Sequence, residues 1–258
     1  MYFKSKKSLG QVFLITESIA EKEAVHAAGK TVIEIGPGLG ILTRKLCENA
    51  KKVVAVEKDR DLYGMLKNEI HSKNLVLINN DFFDISASRT GIEKADIMIS
   101  NIPYNLSGKV IGWLAKNNMQ AVLCLQKEFV DHMLAKPDTH DYSKLSVISA
   151  LFFRVTKIMN VPKGNFRPVP KVDSVIIYMK PLKARISERL VWMIGLLMQH
   201  KKKTVRNAII DSRKYLGMEK DEIISVANSA YMSDKKVFKL APEEILKIAE
   251  YLDHAIAA

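Results

Sequence analysis

Residues 31–40 read TVIEIGPGLG and decide the fold. A short apolar run is followed by three glycines within five positions, and a helical pattern then continues to residue 49. Glycines between a strand and a helix let the backbone turn sharply and approach a ligand at a helix N-terminus. The segment therefore predicts a strand–loop–helix unit that carries a ligand site at its turn.

The sequence beyond this unit alternates short apolar runs with amphipathic stretches, which is typical of a parallel sheet covered by helices. The predicted strands are 31–35, 53–57, 75–79, 96–100 and 121–125, and the predicted helices between them include 40–49 and 60–72. A later pair of strands, 152–161 and 174–179, flanks a proline-rich segment and can close the sheet as an antiparallel hairpin. We expect a mixed sheet of the α/β class.

After residue 181 the pattern predicts helices only, at 187–199, 204–216, 220–230 and 242–254. We expect a catalytic, ligand-binding domain at 1–181 and a small all-helical domain at 182–258.

The composition is that of an ordinary globular protein, with 258 residues, 48% of them hydrophobic and 26% charged. It excludes a disordered chain and a fibrous repeat. The apolar runs are far shorter than the ~20 residues of a membrane span, and the N-terminus lacks the apolar stretch of a signal peptide. We expect a cytoplasmic protein without membrane association, and a monomer. Two isolated cysteines and six scattered histidines predict neither a disulfide nor a metal site.

The chain is strongly basic, with 40 Lys and Arg against 28 Asp and Glu, a net charge of +12. Residues 151–206 contribute most of it, with 13 basic and two acidic side chains. Such a charge favours a polyanionic partner, either nucleic acid or an acidic membrane surface. Within this segment Lys201, Lys202, Lys203 and Arg206 form a dense cluster. The cluster is interpreted as part of a phosphate-binding track, although an isolated run of this kind usually forms a solvated helix end.

The glycine loop departs from the dinucleotide pattern, because the third glycine of G-x-G-x-x-G would fall at Ile41. Glu57 ends the second strand, where a carboxylate can accept hydrogen bonds from a ribose diol, and Asp81 follows the third strand. Gly36 and Gly38 with these two carboxylates favour an adenosyl ligand without phosphates. The alternative is a tight turn beside two helix N-caps.

NIPY, residues 101–104, follows the fourth strand and predicts the reaction. An exocyclic amine is a poor nucleophile, so it must be held by acceptors and aimed at a methyl donor. The side-chain oxygen of Asn101 and the carbonyl of Ile102, turned outward before Pro103, are two such acceptors. Tyr104 offers a face on which an extruded base can stack, and Phe166 can line the same pocket or belong to the core. The alternative is a proline turn with a packed tyrosine.

These motifs together resemble the KsgA family of small-subunit rRNA adenine N6,N6-dimethyltransferases, almost end to end. The matching segments are LGQVFL (9–14), EIGPGLG (34–40), NIPYN (101–105), LQKEF (125–129), YSKLSV (142–147), FRPVPKVDSV (166–175) and QHKKKTVRN (199–207), with Glu57 and Asp81. The resemblance implies a Rossmann-like, S-adenosylmethionine-dependent methyltransferase domain and a helical RNA-binding domain. It also implies dimethylation of two adjacent adenosines near the 3′ end of small-subunit rRNA, with the small ribosomal subunit precursor as partner and a role in ribosome assembly.

The resemblance further assigns cofactor contacts to Val12, Leu14, Gly36, Glu57, Asp81 and Asn101. Many relatives have Asn or His where this chain has Val12, so any contact there must come from the backbone. Ser143 likewise stands where Gly is usual.

Two alternatives remain open. One is an adenine methyltransferase of large-subunit rRNA, which shares NIPY and much of the proline segment. The other is a nucleic-acid-binding relative without catalysis, which has no need of Glu57, Asp81 and NIPY.

Overall fold

A computed structural model describes residues 6, 9–85, 92–182 and 186–257. These residues form two compact units. The first comprises the described parts of Met1–Glu128 together with Val155–Pro181, and the second comprises Phe129–Arg154 with the described residues from Leu182 onward. Among them, no helix has both the length and the apolar character needed to cross a membrane.

The first unit is built around a mixed seven-stranded sheet. Its strands are β2 (Thr31–Ile35), β3 (Lys52–Glu57), β4 (Leu75–Asn79), β5 (Ile97–Ser100), β6 (Gln120–Gln126), β7 (Phe153–Val161) and β9 (Ser174–Pro181), in the spatial order β4-β3-β2-β5-β6-β9-β7. The first five in that order are parallel, and β9 pairs with β6 antiparallel. The mixed sheet is confirmed, and each predicted strand lies within two residues of its observed bounds.

Short helices accompany the parallel strands of this unit. α1 (Glu17–Ala24) precedes β2, and the helices that connect successive strands are α2 (Ile41–Asn49), α3 (Arg60–Glu69) and α4 (Ser107–Lys116). β3, a central strand, contains no exposed residue, since it is covered on both faces. Val53, Val54 and Ala55 are completely buried. Because both faces of such a strand are buried, it appears in the sequence as a continuous apolar run.

A second, two-stranded sheet joins the N-terminal segment to the proline-rich segment. β1 (Phe13–Leu14) pairs antiparallel with β8 (Phe166–Arg167), with Leu14 opposite Phe166. Two bonds to Asn165 continue this contact, because the backbone N–H of Ile15 donates to its carbonyl and the Thr16 hydroxyl donates to its side-chain oxygen. The pairing places Val12 and Phe166 beside the same part of the sheet.

The second unit is helical. It contains α6 (Lys144–Phe152), α7 (Glu188–Gln199), α8 (Val205–Asp211), α9 (Arg213–Leu216), α10 (Lys220–Ser229) and α11 (Pro242–Ala257), and α5 (Lys127–Met133) leads into it. The single helix predicted at 204–216 is divided at Ser212, whose hydroxyl donates to the Ala208 carbonyl, a bond typical of a local bend. Gly217 ends α9 at a φ of 69°.

The predicted domain boundary after residue 181 lies where the two units divide, but the prediction of a continuous 1–181 domain differs from the structure. Residues 129–154 group with the second unit. The reason is local packing and bonding: α6 packs against α7 and α11, and the hydroxyl of the buried Tyr142 donates to the Leu240 carbonyl at 2.9 Å. Single-sequence patterns mark helices but do not show which unit a helix joins.

The Tyr142 hydroxyl bond is expected to stabilise the second unit measurably. Tyr142→Phe removes the donor from a buried carbonyl, which costs about 1–3 kcal/mol. Urea unfolding should show this loss, whereas Tyr215→Phe, at a side chain that is 59% exposed, should leave the free energy of unfolding nearly unchanged. Equal stability of Tyr142→Phe and the wild type would contradict this account.

Candidate active site

The predicted polar residues meet at one edge of the parallel sheet. Gly36 follows β2, Glu57 ends β3, Asp81 lies two residues beyond β4, and Asn101 follows β5. All four line one open cleft of the first unit. The structure therefore brings together the residues that were selected from separate parts of the sequence.

The glycine loop has the backbone conformation that its sequence predicts. Gly36, Gly38 and Gly40 have φ values of 65°, 58° and 78°, a backbone region that residues other than glycine rarely adopt. A Cβ on Gly38 would also lie 2.9 Å from the ring of Phe13. The loop thus needs glycine both for its turn and for the close approach of the N-terminal segment.

Glu57 is held by backbone donors at the floor of the cleft. Its Oε2 accepts a hydrogen bond from Gly38 N–H at 3.2 Å, and its Oε1 accepts one from Asp59 N–H at 2.8 Å. Burial raises the pKa of this carboxyl, and the backbone N–H donors partly offset that rise. Each carboxylate oxygen has a second acceptor site, so Glu57 can accept bonds from a ligand diol while the loop remains in place.

Asp81 is paired with a neighbour that the sequence prediction missed. Lys58 Nζ lies 2.8 Å from Asp81 Oδ2, and Oδ1 accepts the backbone N–H of Phe83. The hydrogen bond from Lys58 lowers the pKa of Asp81 below its usual range. Asp81 therefore faces the cleft as a carboxylate with part of its acceptor capacity already used.

The N-terminal segment is tied to the cleft through Asp59. Gln11 Nε2 and Lys6 Nζ each donate to this buried carboxylate at 2.7 Å. Val12 and Leu14 follow, and both border a smaller cavity beside the glycine loop. The side chain of Val12 contributes only apolar atoms to this cavity, as expected for a valine.

A second small pocket adjoins the cleft at the NIPY segment. Its lining includes Ile102, Pro103, Tyr104 and Phe166. The Tyr104 hydroxyl is 2.9 Å from the hydroxyl of the fully buried Ser174, which fixes the ring from its far end. Phe166 is 2% exposed, so it belongs to the core and also lines this pocket.

Asn101 lies at the junction of the cleft and this pocket, because the residue lines both. Its Nδ2 donates to Glu23 Oε2 at 3.1 Å. Its Oδ1 is buried, and within the described residues it has no hydrogen-bond partner. A buried acceptor without a partner is costly, and it fits a donor that a substrate or cofactor supplies.

The basic cluster of the second unit is partly engaged with the protein itself. Lys201 Nζ donates to the carbonyls of His140 and Tyr142, at 3.0 and 2.6 Å. Lys203 pairs with Asp211, and Arg206 Nε donates to Asn228 at 2.7 Å. Lys202 is exposed and makes no bond to the part of the chain that the structure describes. Three of the four basic residues thus have partners within the protein that the sequence did not indicate.

Comparison with known proteins settles the family. A family model described as ribosomal RNA adenine dimethylase matches residues 2–254. A protein of Thermococcus gammatolerans, named probable ribosomal RNA small subunit methyltransferase A, is 38% identical over 257 residues, covering 96% of this chain and 90% of the relative. The chain belongs to the ribosomal RNA adenine dimethylase family. The dimethylase is accordingly an S-adenosylmethionine-dependent methyltransferase of rRNA adenine.

Solved structures agree with the fold of the dimethylase. A dimethyladenosine transferase from Plasmodium falciparum has 26% identity and a TM-score of 0.78, covering 94% of this chain and 98% of that one. The 23S rRNA methyltransferase ErmE has 22% identity and a TM-score of 0.58, with 93% and 99% covered, and it shows a shared fold alone. The α/β sheet with helices that the sequence predicted, and the Rossmann-like fold that the resemblance implied, are confirmed.

The residues of the cleft fit the cofactor of the dimethylase. Glu57 has acceptor sites that its two backbone donors leave free, and Asn101 Oδ1 lacks a partner among the described residues. Among those same residues, no group of three or more His, Cys, Asp or Glu is arranged to hold a metal ion.

Sequence reasoning about the dimethylase missed three partners: Lys58, Asp59 and Glu23. The first two lie in a loop whose contacts only the fold determines. Glu23 did leave a signal, because it interrupts the apolar face of α1, on which Ile19 and Ala20 precede it by about one turn. A single Glu on an otherwise apolar helix face predicts either a buried hydrogen-bond partner for its carboxyl or a loss of stability.

Burial of two carboxyls in the dimethylase predicts that its stability falls as pH rises. Burial raises the pKa of Glu23 and of Glu34 to about 8, far above the ordinary 4.5. Between pH 4.5 and 8 the unfolded chain loses these protons while the folded chain keeps them. The free energy of unfolding should therefore decrease by on the order of 1 kcal/mol per pH unit for each group.

Urea unfolding between pH 5 and 9 measures this slope. Glu34→Gln should make it shallower, and Glu21→Gln, on the exposed face of α1, should not change it. A wild-type stability that is flat from pH 5 to 8 would show that these carboxyls are not buried as described.

Proposed function

We propose that the enzyme dimethylates the N6 amines of two adjacent adenosines near the 3′ end of small-subunit rRNA. The substrate is a small ribosomal subunit precursor, and the enzyme acts on it as a monomer, in the cytoplasmic compartment where ribosomes assemble. The small-subunit methyltransferase name of the relative that covers 96% of the chain supports this choice of RNA. Methyl transfer and participation in subunit assembly are then two roles of one complex.

In this proposal the cleft holds S-adenosylmethionine through four groups. Glu57 accepts the ribose hydroxyls, Asp81 receives the adenine amine or borders its ring, and the backbone of the loop at Gly36 and Gly38 allows close approach. Val12 and Leu14 contribute backbone contacts and apolar cover. When bound, the cofactor supplies an electrophilic methyl group on a sulfonium.

The pocket beside the cleft then receives the target adenine. Tyr104 stacks on the base, with Phe166 as a further wall, and Ser174 keeps the tyrosine ring in place. Asn101 Oδ1 and the Ile102 carbonyl, set by Pro103, accept the hydrogens of the N6 amine. These bonds favour a pyramidal nitrogen whose lone pair is directed at the methyl donor, so catalysis is by positioning and electrostatics.

One observation carries this assignment: Asn101 lines both the cofactor cleft and the pocket of Tyr104 and Phe166, with an acceptor that lacks a partner among the described residues. A residue at that junction can contact the methyl group and the target amine at once. A protein that only binds RNA has no use for such an arrangement, which favours catalysis over the binding alternative.

Methyl transfer to isolated ribosomal subunits tests the proposal. The enzyme is incubated with labelled S-adenosylmethionine and, separately, with unmethylated small and large subunits, and the RNA is digested to locate the modified nucleoside. We expect dimethyladenosine at two neighbouring positions near the 3′ end of the small-subunit RNA. Label in the large subunit alone would establish the large-subunit alternative, and label in neither would leave the binding alternative.

Glu57→Gln and Glu57→Ala should weaken cofactor binding because they remove charge-assisted bonds to the ribose. Loss of such a contact corresponds to about tenfold or more in Kd. Calorimetric titration with S-adenosylhomocysteine measures it, with thermal unfolding as the check on folding. An unchanged Kd in both variants would show that the ribose lies elsewhere.

Lys202, Lys203 and Arg206 are proposed to contact RNA phosphates. Lys201 instead has a structural role, because its ammonium group donates to backbone carbonyls of the protein. Lys202→Ala with Arg206→Ala should weaken RNA binding and reduce its salt dependence, by about 1–2 units in the slope of log K against log[salt]. Lys220→Ala with Lys247→Ala removes the same charge outside the basic segment and should have little effect. Equal slopes for the two double variants would exclude the proposed track.

A further inference from the structure

Glu23 places a carboxyl in the apolar interior of the first unit. On α1 it shares the buried face with Ile19, Ala20 and Ala24, and none of its surface is exposed. An apolar side chain at this position would complete the face without the cost of desolvating a carboxyl. A physical explanation for Glu23 must therefore lie in what it contacts.

The contact of Glu23 is Asn101. Glu23 Oε2 accepts the hydrogen bond from Asn101 Nδ2 at 3.1 Å. An asparagine amide carries its donor and its acceptor on opposite sides of the same planar group. Because the NH₂ group is held by Glu23, the Oδ1 atom must face away from Glu23.

The orientation matters because Asn101 lies where the cleft meets the pocket of Tyr104 and Phe166. A target amine needs an acceptor there, and a rotated amide would present two hydrogens to it instead. Rotation of an unheld amide by 180° changes its shape very little, so packing alone selects poorly between the two orientations.

We propose that Glu23 is a positioning residue that holds the Asn101 amide so that Oδ1 faces the N6 amine of the target adenosine. This inference rests on the proposed function and adds to it a residue outside the NIPY segment. Glu23 does not touch the substrate, and it acts only through Asn101.

The charge state of Glu23 is compatible with this role. The described ionisable groups that face it are Glu34 and Cys124, and burial with the nearby Glu34 raises the pKa of Glu23 to about 8. The protonated carboxyl retains a carbonyl oxygen and the ionised form has two acceptor oxygens. Either state can therefore accept the Asn101 N–H.

Three variants test the inference. Glu23→Leu removes the acceptor and keeps the volume, Glu23→Gln restores an acceptor oxygen, and Glu21→Gln removes a carboxylate from the exposed face of the same helix. Methyl transfer to small subunits is measured at saturating cofactor. We expect kcat to fall about tenfold or more in Glu23→Leu, to recover largely in Glu23→Gln, and to be unchanged in Glu21→Gln.

Three readouts besides activity separate positioning from general structure. The Kd of S-adenosylhomocysteine for Glu23→Leu should stay close to that of the wild type, and its thermal midpoint should not fall, since the cleft and core remain filled. In ¹⁵N-labelled protein, the side-chain amide signal that disappears in Asn101→Ala should exchange slowly in the wild type and rapidly in Glu23→Leu.

The inference is overturned if Glu23→Leu retains the wild-type kcat, if Glu23→Gln is as slow as Glu23→Leu, or if kcat, cofactor affinity and stability fall together. If the wild type transfers no methyl group to small subunits, the proposed function fails instead. In that case unchanged amide exchange in Glu23→Leu would still overturn the bond between Glu23 and Asn101.

Discussion

The parallel pairing of β2, β3, β4 and β5 is the constraint on which the site depends. Ile35 lies opposite Val56, and Glu57 lies opposite Asn79. This register brings the strand ends to the same edge, so that the residues after each strand open into one cleft. A slip of one residue between β2 and β3 would turn Glu57 to the other face of the sheet. The apolar burial of these strands therefore fixes the chemistry at their ends.

Partners behind the cleft hold its polar groups in place. Asp59 accepts bonds from Lys6 and Gln11 and itself donates through its backbone to Glu57. Ser174 contacts the hydroxyl of Tyr104 in the same supporting way. Groups fixed before the substrate arrives need no reorganisation during the reaction, which is the main advantage an enzyme has over water. The cleft is thus supported by bonds from segments distant in sequence.

The order of elements and the residues of the cleft could be predicted because they follow local rules. Strands buried on both faces are visible as apolar runs, and the positive φ values of the loop require its glycines. Two features could not be predicted in this way, since both depend on tertiary contacts between distant segments. They are the grouping of residues 129–154 with the helical unit and the bond of Lys201 to the carbonyls of His140 and Tyr142. The same holds for Lys58 beside Asp81, because a Lys and an Asp that are 23 residues apart carry no pairing signal in the sequence.

The central claim is that Asn101 holds the target amine at the junction of the two cavities. Single-turnover methyl transfer by Asn101→Ala, at saturating cofactor and with small subunits as substrate, tests it most directly. The account predicts a rate about a hundredfold or more below that of the wild type, with a much smaller change in the Kd of S-adenosylhomocysteine. An unchanged rate, or a loss confined to cofactor affinity, would contradict it.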